Sequence, residues 1–355
     1  MNQADLKTQY RLHVRRKVLV GLALVILVAA AALVSLGTGA YPLGLRDMAD
    51  AVTGRADARI LHVFRNIRLP QVAAALLAGA CLGLAGTAMQ NVLRNPLASP
   101  FTLGISQGAV FGAAFAIIVL GAGTAVVTGT ERTAVSSPHV IVACAFAGSL
   151  ITVIALVLLS SLRDLSPAAL ILAGVALSAF FGSATMLLQY FASDIQVASA
   201  VFWTFGDLRK AQWPQLATIA AALVPPVAYF TWKGWHFNAM VWGDDTAKSL
   251  GVRVYALRLA ALVLAALAAS VATAFMGIIG FVGLIAPHAV RMIVGPDHRF
   301  LFPYAALTAG LLLLAADVLA RTVMAPIVLP VGILTSFAGA PLFLYLLMKH
   351  GDIRS

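Results

Sequence analysis

This 355-residue chain is short of charge: Asp, Glu, Lys and Arg make up only 10% of it, against about 25% in an ordinary soluble domain. With 61% hydrophobic residues and a mean hydropathy of +0.95, that scarcity excludes a soluble enzyme, a disordered tail and a nucleic-acid module. Cysteine is nearly missing. Cys81 and Cys144 both lie inside apolar runs, which excludes a disulfide framework or a cysteine-built zinc site. No two histidines stand four apart, the spacing that puts two metal ligands on one helix face, so no protein-built metal site is expected. The phosphate-cradling pattern G-x-x-x-x-G-K-[ST] is also lacking, so no nucleotide is expected on this chain itself.

What the chain has instead is long apolar runs. About 20 apolar residues cross the hydrocarbon core as a helix. Runs of that kind occur at Val18–Leu36, Leu69–Leu93, Phe101–Leu120, Val140–Ser160, Ala168–Ala192 and Pro214–Trp232. The first, behind Lys7, Arg11, Arg15, Arg16 and Lys17, has a signal-peptide layout but is longer than the about 7–15 residues of a signal core, so it is read as a retained span. Between Arg258 and Arg291 no residue is charged. One helix of that length would measure about 48 Å against a core of about 30 Å, so the chain must turn inside the membrane. Gly277, Gly280, Gly283 and Pro287 are the available breakers. A seventh span (Leu259–Met276), a tight turn and a short eighth helix to about Val294 are expected, then Tyr304–Leu319 and Val331–Met348.

The predicted fold is therefore all-α and polytopic, with ten transmembrane helices over residues 18–348. Segments 1–17 and 349–355 are expected on one side, the cytoplasmic one. Fifteen Lys and Arg residues fall on that side and nine on the other, in keeping with the positive-inside rule. The five arginines of the first outer loop, Arg46, Arg55, Arg59, Arg65 and Arg68, run against the bias and call for a separate reason.

Small residues recur at helical spacing: Gly79 with Gly83, and Gly104, Gly108 and Gly112 in tandem. Such spacing lets helix backbones approach closely in lipid. Gly104-Ile105-Ser106-Gln107-Gly108 also matches G-x-S-x-G, but a hydrolase serine needs a strand-to-helix elbow and a base. Here the serine opens a membrane helix, and His288 is the sole candidate partner. His288 follows Pro287 near the intramembrane turn, where a polar group is either functional or simply bonds the carbonyls that proline frees. Asp317 and Arg321 stand four apart on one helix face, as an ion pair, as an arginine offered to an acidic partner, or as both.

Lys233–Arg258 is the longest polar insertion of the second half. Within it, Gly243–Val252 reads as a short helix. Asp244 and Asp245 suit the positive end of its dipole, Lys248 the other end, and Gly251 a stop. Such a helix is either a connector or a docking knob, and loop helices serve both. Ala247 and Leu250, three apart, are expected to share the contact face, with Gly243 and Arg253 flanking it.

Several stretches together resemble one family. They are Asn66–Pro70, Leu93–Pro100, Leu103–Gly108, Leu170–Val175, Gly243–Val252, Gly280–His288, Gly295–Arg299, Ala315–Arg321, Leu329–Gly332 and Gly339–Phe343. Running in order from about residue 60 to 348, they resemble the FecCD-type permeases of ABC importers for iron-siderophores, haem and cobalamin (type II importers of the cobalamin-permease kind). The resemblance implies a ten-helix permease that pairs with a second permease subunit, with two ATPase subunits below and a substrate-binding protein above. It places Gly243–Val252 on the segment that seats in the ATPase, and Arg68 and Arg321 on arginines that meet acidic residues of the binding protein. The family often has a second arginine just after Arg-Leu-Pro. This chain has Gln71 there, and Arg65 is the nearby substitute. Ser166 and Ala168, at the turn opening span five, are small, as a cytoplasmic gate requires, although Pro167 departs from the usual small polar residue.

The expected function is thus a non-catalytic permease of the cytoplasmic (inner) membrane of a bacterium or archaeon. It would import a bulky ferric chelate by alternating access, with ATP and Mg on the partner ATPase and no cofactor of its own. Ser178, Ser183, Thr185 and Gln189 on span five are the candidate pathway residues, and Gly280, Gly283, Pro287 and His288 the structural turn. An ion-coupled carrier is the alternative, but it would hold a carboxylate at membrane depth, where only Asp317 comes close. An intramembrane serine protease would need Ser106 and His288 in contact.

Overall fold

The computed structural model describes residues 3–123, 137–163 and 166–350. Asp164, Arg132 with most of the expected Gly121–Pro138 connection, and the tail beyond residue 350 lie outside the described residues. Among the described residues the fold is helical, with one isolated parallel bridge between Phe205 and Ile278. The helices are α1 (Gln3–Gly37), α2 (Leu45–Thr53), α3 (Ala58–His62), α4 (Leu69–Val92), α5 (Ile105–Ile118), α6 (Pro138–Arg163), α7 (Pro167–Tyr190) and α8 (Asp194–Thr204). After them come α9 (Trp213–Trp232), α10 (Gly234–Val241), α11 (Asp244–Ser249), α12 (Val254–Met276), α13 (Val282–Val294), α14 (His298–Thr322) and α15 (Val331–His350).

Seven of these are long and apolar enough to cross a membrane: α1 from Arg11, α3 running into α4, α6, α7, α9, α12 and α14. Three shorter apolar helices, α5, α13 and α15, fall where the other spans are expected. In lipid a helix is the natural state of such runs, because it satisfies every backbone N–H and C=O internally. The expected third span is cut back to α5 because Ser99 and Thr102 bond each other's backbone in a turn, and Gly104 enters α5 at φ +78°. The Tyr41–Arg68 stretch, expected to be merely polar, folds into α2, α3 and a π-helical turn over Val63–Arg68 that leads straight into α4.

α4 is the axis of the bundle. It is buried along almost its whole length and packs on α14, α12, α13 and α9. Its glycines make this possible. A Cβ on Gly79 would strike the backbone of Gly310, one on Gly83 that of Ala305, and one on Gly86 the carbonyl of Gly283. The second glycine series behaves alike: Gly108 lies on Gly148, and Gly112 on the carbonyl of Cys144. α1 flanks α14 in parallel. Tyr304 donates to the Lys17 carbonyl (3.0 Å) at the end where α1 begins, called the lower end here. At the upper end Arg321 donates to the Ser35 carbonyl.

The reversal between α12 and α13 is made by Gly277 (φ +80°) and Phe281 (φ +64°). Of the expected turn residues, Gly280 lies inside the reversal without a left-handed φ. Gly283 is a packing glycine against α4, Pro287 sits within α13, and His288 lies edge-on to Phe343. The backbone of the reversal is paired with the end of α8 and the segment after it, which in turn takes a bond from the start of α15. Ile278 N–H donates to Thr204 O (3.2 Å), Asp207 N–H to Met276 O (2.9 Å), and Gly332 N–H to Gly206 O (2.9 Å). Irregular backbone at membrane depth survives only when shielded in this way. Ser106 sits on α5, against α6, α7 and α8, whereas His288 sits on α13, against α4, α14 and α15.

Candidate functional site

The lower end carries the polar insertion 233–258 as α10, α11 and the start of α12. The insertion does not hang free; two polar clusters fasten it. Asp244, the first residue of α11, bridges Arg94 beyond α4 and Arg258 on α12. Arg258 Nη2 donates to both Asp244 oxygens at 3.1 Å, and its Nε donates to the Val92 carbonyl at 3.2 Å, one of the carbonyls a helix end leaves without an intrahelical partner. Arg94 itself ends α4 in a left-handed conformation (φ +47°), uncommon for a residue with a Cβ.

The second cluster gathers around His298. Its backbone N–H donates to Asn238 Oδ1 (2.7 Å), and Nδ1 lies 3.1 Å from the same oxygen. Asn238 Nδ2 donates to Asp297 (2.8 Å), which leaves Oδ1 as the acceptor and fixes the proton on His298 Nδ1. Nε2 then accepts from Asn91 Nδ2 (3.0 Å). Asp297 also takes Arg299 (2.7 Å) and Lys17 (3.6 Å). Burial alone would raise the Asp297 carboxyl, but hydrogen bonds from Arg299 and Asn238 outweigh it and hold the group well below the usual carboxylate range. Phe237 and Phe302 pack beside this cluster, 5.0 Å between ring centres. Sequence reading missed Asn91, Asn238 and Arg94 as partners. They are distant in sequence, and no spacing rule joins them.

The expected contact face of α11 is corrected here. Ala247 is fully buried within the chain, while Leu250 is 67% exposed. α11 ends at Ser249 with Leu250 as its C-cap, and the difference in burial leaves Leu250 open to a partner and Ala247 closed to one. What α11 and its flanks present outward is Asp245, Lys248, Leu250, Gly251 and Arg253, with Trp242 beside them. Gly243, at φ +112°, makes the sharp entry that only glycine takes easily.

At the upper end Arg68 and Arg321 are both buried, not exposed. Arg321 pairs with Asp317 (2.6 Å) and donates to Ser35 Oγ (2.7 Å) and the Thr38 carbonyl (2.7 Å). It therefore closes the C-terminal end of α1, where a cation suits the helix dipole. Arg68 reaches the Tyr41 carbonyl (3.5 Å) and lies against Gly39, whose missing side chain makes room for it. Arg65 alone of the three is exposed.

On α7 the candidate pathway residues divide. Ser178 and Thr185 donate to their own helix, to Gly174 O and Phe181 O (2.8 Å each), and Gln189 is half-buried. Ser183 is exposed on the side that carries Leu172, Val175, Phe180, Met186 and Tyr190. Ser166 caps α7, its Oγ accepting from Ala169 N–H (3.3 Å). Among the described residues no group of three or more His, Cys, Asp or Glu side chains could hold a metal ion.

The FecCD transport family model matches residues 25–349. A protein of Methanocaldococcus jannaschii named as an ABC transporter permease is 50% identical over 97% of this chain and 98% of its own length. The hemin transport system permease HmuU of Yersinia pestis is 37% identical over 97% of this chain and 99% of its own. The cobalamin import permease BtuC of Halobacterium salinarum is 38% identical over 82% and 74%. A solved ABC transporter of the metal-chelate type, in an inward-facing conformation, superposes with a TM-score of 0.80 at 31% identity, covering 92% of this chain and 98% of that one.

Proposed function

Because the chain belongs to the FecCD transport family, we propose that it is the ten-span membrane subunit of a binding-protein-dependent ABC importer. Its cargo would be a ferric siderophore or a related metal chelate such as haem or cobalamin. A separate ATPase drives the cycle, and two copies of the permease frame the path. The lower end faces the cytoplasm. The single observation that carries this reading is the seat of residues 233–258. A short helix with an exposed outer side is fixed by Asp244 to both α4 and α12, so force applied to α11 reaches two spans through ion pairs and backbone. A mere connector needs neither anchor. The outer side of α7 around Ser183 is the proposed wall of the pathway, with Ser166 at its cytoplasmic gate. At the upper mouth, Arg65 is the arginine free to attract an acidic binding protein. Arg68 and Arg321 would serve it by shaping the surface.

Proteoliposomes holding the assembled complex test the proposal. Labelled ferric chelate should enter only with ATP and loaded binding protein, and a proton or sodium ionophore should leave the rate unchanged. Uptake without ATP that collapses with ionophore would instead establish an ion-coupled carrier.

A further inference from the structure

The coupling segment also borders a groove, to which it contributes Gly251, Val252 and Arg253. The end of α9, α10 and the start of α12 enclose ≈ 500 Å³ lined by Tyr229, Lys233, His236, Arg253 and Leu257 among others. Its charges are of one sign. Nearby acids are already engaged: Asp244 by Arg94 and Arg258, Asp245 by Lys248, and Asp297 by Arg299 and Lys17. Neither Lys233 nor Arg253 forms an ion pair among the described residues. The His236 Nδ1 is buried with no hydrogen-bond partner there, and buried polar atoms are rarely left so. Burial and the neighbouring Lys233 hold this imidazole below the usual histidine range, so the two cations are left to carry the charge.

The depth of the groove narrows the choice of anion. Trp232 and Trp235, 73% and 62% exposed, stand beside it, and Lys233 Nζ lies 4.0 Å from the Trp232 ring centre. Exposed tryptophans at the ends of membrane helices mark the headgroup layer. Basic pockets between spans at that level take lipid headgroups. We propose that this groove holds the phosphate headgroup of an anionic phospholipid, with Lys233 and Arg253 meeting its charge. A lipid seated there would brace the joint between α11 and α12 against α9.

The full-length permease, reconstituted in nanodiscs of equal phosphatidylglycerol and phosphatidylcholine, is released into detergent and its retained lipid counted by native mass spectrometry. Phosphatidylglycerol should be retained in preference. Retention should fall about 5-fold in Lys233→Ala or Arg253→Ala and about 25-fold in the pair. The exchange Lys233→Arg with Arg253→Lys should keep it. Lys233→Met with Arg253→Met, which preserves the aliphatic stems, replaces the alanine pair if that pair is not monodisperse. Unchanged phosphatidylglycerol retention in a monodisperse double variant would overturn the proposal. So would displacement of the lipid by inorganic phosphate, which would make this a free-anion site. Loss of the ATPase subunit from a double variant that keeps its lipid would make the groove a protein-docking surface instead.

Discussion

Arg258 grips Asp244 through both carboxylate oxygens at 3.1 Å, and so folds the start of α12 back onto the start of α11. The nine residues between Asp244 and Val254 are thereby closed into a braced corner, with Arg94 of the loop after α4 as its third side. The corner gives the lower end a defined response to a push.

Asp244→Ala and Arg258→Ala are expected to be non-additive. A double-mutant cycle on thermal unfolding should return a coupling of about 1 kcal/mol for this half-buried pair, and either single change should cut ATP-driven uptake. Additive effects would mean that the contact carries nothing.

Ala247 and Leu250 should separate cleanly. Ala247→Asp drives an unpaired charge into a fully enclosed site, a costly burial, and should lower the melting temperature of the permease by itself. Leu250→Asp changes a side chain 67% exposed and should leave that temperature alone while ATPase co-purification is lost. The reverse pattern would put Ala247 back on the contact face.

Arg321→Ala strips the partner from buried Asp317 and from the end of α1. It should cost about 3–5 kcal/mol of stability, and Asp317→Ala in the same chain should recover part of that. A binding-protein defect in a chain of unchanged stability would instead assign Arg321 a direct docking role.

Gly86→Ala would place a methyl group on the Gly283 carbonyl. Backbone cannot step aside as a side chain can, so a loss at the upper end of the about 1–3 kcal/mol typical of overpacking is expected. The measurement is thermal unfolding with α4–α13 cysteine cross-linking as the readout of separation. Wild-type stability would show the joint to be slack.

Asp297 gives a pH test. Its carboxyl is held low in the folded chain, so the stability it contributes is complete above the ordinary value of about 4 and is lost as pH falls from there towards its lowered value. Asp297→Asn should flatten the acid side of the stability profile and leave its slope near neutrality as it was. An unaltered acid limb would remove Asp297 from the cluster's energetics.

Much of the architecture was legible because lipid makes helices compulsory: uncharged runs and their breakers place the spans, and the paired glycines announce backbone contact. Three features were not. The burial of Arg68 depends on a π-helical turn joining α3 to α4, and no periodicity in Val63–Arg68 signals it. The inward face of Ala247 belongs to a six-residue helix, too short for a hydrophobic period to point anywhere. The turn residue Phe281 has φ +64°, which an aromatic residue gives no reason to expect. In each case tertiary packing, not local preference, settled the geometry.

The glycine seams of α4 carry a mechanical implication. Side-chain interfaces can creep, one rotamer at a time; a seam of carbonyl against Cα has no such gear. Shifting α4 along α13 or α14 by one residue would bring a Cβ onto a carbonyl, so those helices are keyed together and can travel only as a single plate. α5 and α6, locked through Gly108, Gly112 and Gly148, form a second plate. Sliding within either plate is therefore opposed by backbone rather than by side chains.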